Sequence, residues 1–140
     1  MKKILIVKAN YYNLISKKLS QESINLLRNK TKVSVIEVPG IFEIPVVISK
    51  NYNKFDGFVA LGCVIKGQTP HFDLICNATF NALMSLSTNF KKPIGNGIIT
   101  ALNAKQAHER CGIKKSKKLN KGFEAANAVL SILKNGPKKV

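Results

Sequence analysis

Nine consecutive residues near the middle of the chain, Gly57-Phe-Val-Ala-Leu-Gly-Cys-Val-Ile65, form an apolar run without a single charge. A run of that length, with turn residues ahead of it, predicts a strand buried on both faces, the kind found in parallel sheets covered by helices on either side. The next segment has a different period. Phe72, Ile75, Cys76, Thr79, Phe80, Leu83, Leu86 and Phe90 recur at three- and four-residue steps, which predicts a helix with one apolar face.

The same alternation runs through the rest of the chain. Ile4 to Ala9 reads as a buried first strand, and residues 13 to 29 place Ile15, Leu19, Leu26 and Leu27 on one helical face. Val33 to Val38 is the second strand, closed by the turn dipeptide Pro39-Gly40, after which Ile41-Phe-Glu-Ile-Pro45 opens a short helix to about Lys50. Pro93 to Thr100 is the fourth strand. Asn103 caps a short helix to Arg110, and Phe123, Ala126, Val129, Leu130 and Leu133 form a final amphipathic helix that Asn135-Gly-Pro137 stops. Four strands alternating with helices imply an α/β three-layer sandwich with a parallel sheet of order 2-1-3-4, flavodoxin-like, with right-handed crossovers. At 140 residues, with no linker or low-complexity stretch, the chain is expected to be one domain over 1–140.

Hydrophobic content of 45% and charged content of 21% are those of a globular protein, and no run is long enough to span a bilayer. Met1-Lys-Lys ahead of Ile4-Leu-Ile-Val7 imitates a signal peptide, but the apolar run stops at Lys8 and no small-residue cleavage site follows, so a cytoplasmic chain is expected. Cys63, Cys76 and Cys111 lack metal or disulfide spacing, and the first two are expected to be buried thiols. His71 and His108 are the only histidines, too few for a histidine-rich metal site. The net charge of +16 raises a competing possibility, a basic α/β module that binds RNA without being an enzyme. Against it, the densest run, Lys114-Lys-Ser-Lys-Lys118, has no interleaved aromatic on which bases could stack, and tryptophan is absent. A solvated basic face, or one that draws in phosphorylated substrates, fits the pattern better.

Chemistry concentrates in the turn after the central strand, within Gly62-Cys-Val-Ile-Lys-Gly-Gln-Thr-Pro-His-Phe-Asp73. Thr69 suits an N-cap and Pro70 the first helical position, which puts His71 in the first turn. Unpaired amides at a helix start attract anions, and Lys66 adds a full charge beside them. An imidazole there can accept and donate a proton next to a phosphate. Read on its own, Thr-Pro-His more often merely starts a helix with the ring in water.

The string Gly67-Gln-Thr-Pro-His-Phe-Asp73 after an apolar strand resembles the signature of the lumazine synthase family, and Val38-Pro-Gly-Ile-Phe-Glu-Ile-Pro45 resembles its second signature. Asn120-Lys-Gly-Phe-Glu124 is similar to the last one, so the resemblance covers nearly the whole chain. It implies condensation of 5-amino-6-ribitylaminouracil with 3,4-dihydroxy-2-butanone 4-phosphate to 6,7-dimethyl-8-ribityllumazine, the penultimate step of riboflavin formation, with no cofactor or metal. It also implies roles. His71 transfers protons, while Gln68, Thr69 and Arg110 take the phosphate. Tyr11 stands where the family has an aromatic that stacks on the pyrimidine; Ile41, Phe42, Glu43 and the strand-end backbone of Cys63, Val64 and Ile65 hold the uracil and ribityl parts. Lys66, Lys121 and Glu124 support the site. Asn96, between Gly95 and Gly97, departs from the family pattern, which in many members places an aromatic there that reaches the neighbouring subunit's site.

Tyr11, Glu43 and the stretch from Lys66 to His71 all follow carboxyl ends of strands, where open α/β sheets place ligands. By the resemblance the partners are two small-molecule substrates and further copies of the chain, with no nucleic acid or membrane. A cyclic pentamer is expected rather than an icosahedral shell. Only Met1-Lys-Lys3 precedes the first strand, without the leading segment of shell-forming members, and the loop from Cys111 to Asn120 is longer than theirs and carries the lysine run.

Overall fold

In the computed structural model, which describes residues 1–140, the central apolar run lies inside a sheet as predicted. In chain order the elements are β1 (Lys3–Ala9), α1 (Asn13–Leu27), β2 (Lys32–Val38), a 3-10 turn at Ile41–Glu43, α2 (Ile44–Asn51), β3 (Gly57–Ile65), α3 (His71–Phe90), β4 (Ile94–Ala101), α4 (Ala104–Cys111) and α5 (Lys121–Lys134). All neighbouring strands pair in parallel in the order β2-β1-β3-β4, the flavodoxin-like arrangement that the alternation implied. Ile4 lies opposite Val33 on one side and Gly57 on the other, and Phe58 opposite Ile94.

Helices cover both faces of the inner strands, so Ile4 to Val7 and Phe58 to Leu61 are each no more than 1% exposed. Ile4, Ile6, Val59, Leu61 and Cys63 meet α1, α4 and α5, while Leu5, Val7, Phe58 and Ala60 meet α2 and α3. Two glycines set how closely α5 approaches. A Cβ on Gly95 would stand 2.2 Å from the Ala125 carbonyl oxygen, and one on Gly122 2.2 Å from that of Leu19, so any side chain there would force the helix off the sheet or off α1.

Boundaries shift where a single group decides them. The first helix ends at Leu27 instead of running to Asn29, because the Lys30 and Thr31 amides and the Thr31 hydroxyl all donate to the Leu27 carbonyl. Pro93 has no N–H for the ladder; its carbonyl accepts from Phe58 N at 3.0 Å and the strand starts one residue later. Pro70, at ψ 3°, is the cap of α3 and not its first turn, a correction of one residue that makes His71 the first helical position. Cys111 is buried like Cys63 and Cys76, because the end of α4 packs into the core on the α1 side. No helix is long and apolar enough to cross a membrane.

The apolar face of α3 is only partly covered. Cys76, Thr79 and Leu83 are buried, but Phe72, Ile75, Phe80 and Leu86 are half-buried, and Leu74 and Met84 stand 67% and 66% exposed. Phe42 continues this open apolar strip from the α2 side, and Val46 on α2 is exposed as well.

Candidate active site

At the carboxyl end of β1 the chain is tied across to β2. Asn10 N donates to the Val38 carbonyl at 2.9 Å, and its side-chain Nδ2 donates to Glu37 Oε2 at 2.7 Å. The Asn10 bond, then Lys8 at 3.1 Å from the other oxygen, holds the Glu37 carboxyl below the usual range. Tyr11 comes next, its ring 77% exposed and resting edge-on against Tyr12, with centroids 5.0 Å apart at 79°. Tyr12 packs against the core beside α1, and burial raises its phenol pKa, with Cys63 adding to the shift.

After β2, Gly40 and Glu43 close a reciprocal turn. Glu43 N donates to the Gly40 carbonyl at 3.2 Å, and Gly40 N donates to Glu43 Oε1 at 3.0 Å, leaving Oε2 without a protein partner. The turn presses the buried Ile41 onto β3, so close that a Cβ on Gly62 would stand 2.8 Å from Ile41 Cγ2. Beyond Ile65, Lys66 N donates to the Ala101 carbonyl at 2.9 Å, and the exposed loop ends where Thr69 Oγ1 accepts from His71 N at a long 3.4 Å. These segments enclose a cavity of about 250 Å³ lined by Tyr11, Tyr12, Gly40, Ile41, Cys63, Val64, Ile65, His71 and Ile75. Its floor is apolar: burial, and to a smaller degree Cys111, pushes the Cys63 thiol up to about 12. Phe42 lies beside it, lining a shallow groove with His71, Leu74, Ile75 and Ala78.

A second cavity, of about 380 Å³, runs along β4, whose outer edge has no strand neighbour. Asn96 lines it and accepts from Ile98 N at 3.1 Å, so its side chain occupies an amide of the edge strand. Opposite stands the end of α4. Asn103 Oδ1 accepts from Gln106 N at 2.9 Å and Gln106 Oε1 accepts from Leu102 N at 2.8 Å, a capped start that sets the helix whose last turn carries Arg110. Asn120 then joins two helices. Its Nδ2 donates to the Cys111 carbonyl at 2.9 Å, while its Oδ1 accepts from Gly122 N at 2.8 Å and Phe123 N at 3.1 Å, which brings Lys121 to the cavity with Arg110. Glu109 and Lys118 complete the charged wall.

The sequence-derived residues therefore divide. Tyr11, Ile41, Cys63, Val64, Ile65 and His71 share the first cavity; Asn96, Arg110 and Lys121 share the second, and no residue lines both. Gln68 and Thr69 stay on the exposed loop with Lys66 and, like Glu43 and Glu124, line neither cavity. Sequence reasoning passes over Tyr12 and Ile75 in the first cavity and Gln106, Glu109 and Lys118 in the second. Tyr12 is signalled only by adjacency to Tyr11, and Lys118 is hidden in a run that reads as solvated. No cluster of three His, Cys, Asp or Glu is placed to hold a metal.

The family model described as 6,7-dimethyl-8-ribityllumazine synthase matches residues 1–135. The chain belongs to this family. Proteins of that name from Bartonella bacilliformis and Bartonella tribocorum are 43% and 41% identical to it, each alignment covering 93% of this chain and 87% of the relative. The one from Buchnera aphidicola is 40% identical over 137 residues, 93% of this chain and 84% of the relative. The family model thus spans both cavity-forming halves of the chain.

Proposed function

We infer that the protein condenses 5-amino-6-ribitylaminouracil with 3,4-dihydroxy-2-butanone 4-phosphate, giving 6,7-dimethyl-8-ribityllumazine with loss of phosphate and water. The observation that carries this reading is the cavity in which Tyr11, the β3 end and His71 meet at the carboxyl edge of the sheet. The uracil ring stacks on Tyr11 over the apolar floor, with backbone at Cys63, Val64 and Ile65 taking its polar edge. Phe42 and Ile41 flank the ribityl chain, and the unpartnered Oε2 of Glu43 accepts from its hydroxyls. His71 moves protons during imine formation, phosphate elimination and ring closure, each of which transfers a proton between carbon, nitrogen or oxygen and solvent. Holding an aromatic amine against a ketone supplies much of the remaining acceleration.

Gln68 and Thr69 approach the phosphate from one copy, and Arg110 from another. The two cavities are different surfaces, so joining them is a head-to-tail contact, which forms a ring when its rotation closes and an open filament when it does not. The open apolar strip of α3 supports that contact. From the family resemblance the ring has five members. Lys114, Lys115, Lys117 and Lys118 repeated in each copy disfavour stacking of rings into a shell through like-charge repulsion. Light scattering at low and moderate salt should report a pentamer; a particle of about sixty subunits would overturn the charge argument. A cytoplasmic site of action suits three thiols that remain unpaired. Mixing the protein with both substrates and following lumazine absorbance or fluorescence tests the activity. A rate no higher than the uncatalysed one would reject it.

A further inference from the structure

The loop between α4 and α5 carries four lysines, and they do not share one environment. The loop is held at its base, where Lys114 N donates to the His108 carbonyl at 3.0 Å and Asn120 Nδ2 to the Cys111 carbonyl at 2.9 Å. Within it, Lys118 N donates to Ser116 Oγ at 3.1 Å. The turn brings Lys118 to the wall of the β4 cavity beside Arg110 and Lys121, whereas Lys114, Lys115 and Lys117 line no part of it. Three cations then face one carboxylate, Glu109, and none of them pairs with an acid within 4.0 Å. Cations gathered this way repel one another until an anion of more than unit charge enters.

We propose that Lys118 is a substrate-binding residue that holds the phosphate of the ketone substrate together with Arg110, and holds inorganic phosphate after elimination has released it with the electron pair of the C–O bond. The inference rests on the reaction inferred above. Arg110 and Lys118 suit different parts of that task. The guanidinium fork fixes orientation by two parallel hydrogen bonds, and an ammonium on a four-carbon stem follows the group as it changes from ester to free dianion.

Calorimetric titration with inorganic phosphate, alongside steady-state kinetics, tests it in the intact assembly. Lys118→Gln should weaken phosphate binding and raise KM for the butanone phosphate by the same factor, roughly three- to tenfold, with KM for the pyrimidine unchanged. Lys117→Gln removes the same charge from the same loop and should move neither constant, while Lys118→Arg should restore most of the binding. Equal weakening by Lys117→Gln and Lys118→Gln would reduce the effect to the general basic field and overturn the proposal, as would undiminished phosphate binding by Lys118→Gln. A wild-type protein that binds phosphate but forms no lumazine would instead reject the assigned reaction, leaving the phosphate contact to be judged by the titrations.

Discussion

The two cavities are built on opposite physical terms. The one over β1 and β3 has strand ends and Ile41 for its floor, with a thiol pushed up to about 12. The one on β4 lies on an unpaired edge and gathers Arg110, Lys118 and Lys121 around a single acid. A flat uracil ring gains from apolar contact on its faces while backbone groups can take its polar edge, whereas a phosphate needs cations that themselves resist burial. Building both environments side by side in one core would bury unpaired charge. Kept on different surfaces, each half is stable without its ligand, and a second copy of the chain would be needed to join them.

His71→Ala should break that division most visibly. If His71 is the proton-transferring group of the apolar half, its loss should lower kcat roughly a hundredfold, while positioning of the two substrates preserves residual turnover. Pyrimidine binding should be nearly unchanged, and an unchanged kcat would remove His71 from the mechanism. Arg110→Ala acts on the other half. It should raise KM for the butanone phosphate about tenfold or more, with a smaller effect on the pyrimidine. Equal effects on both substrates would mean that the cavities do not divide the ligands as assigned.

How readily each half can be read from sequence follows the same contrast. The first is written in short continuous strings, Val38 to Pro45 and Gly57 to Asp73, because residues after strand ends converge wherever the sheet is parallel, and apolar runs of strand length reveal the sheet. Strand order and the place of His71 were legible for that reason. The second half joins an edge strand, the end of α4, a loop and the start of α5, segments whose meeting depends on Asn120 spanning two helices and on Gly95 and Gly122 admitting α5. None of those contacts has a local period. Arg110 and Lys121 are legible by resemblance, Lys118 only from the fold. Which oxygen of Glu43 stays free is visible only in the fold.

Mixing two damaged proteins sharpens the comparison further. Suppose His71→Ala and Arg110→Ala subunits are unfolded together and reassembled in equal amounts. If the halves come from different copies, about a quarter of the junctions regain both intact residues, and activity at low butanone phosphate should return toward that fraction of wild type. If both residues served a site within one copy, no junction would be intact and the mixture would stay at the mean of its parents. Each variant reassembled alone is the control.

The smallest effect concerns the apolar floor itself. Cys63 keeps its proton in the folded protein to about 12, by burial first and then by Cys111, while in the unfolded chain it titrates near the ordinary value of 9.0. Between those values the unfolded state binds fewer protons than the folded one, so stability falls as pH rises through the window and does not depend on this thiol below it. Cys76, Cys111 and Tyr12, also raised by burial, act in the same direction, so the wild-type melting temperature should decline above pH 9. Cys63→Ala removes one contributor. Its melting temperature at pH 8 should be somewhat lower through lost packing, but the decline from there to pH 10.5 should be shallower than in wild type. Parallel declines would show that the thiol is not shielded from water and that the floor of the first cavity is wetter, hence more like the second, than its lining suggests.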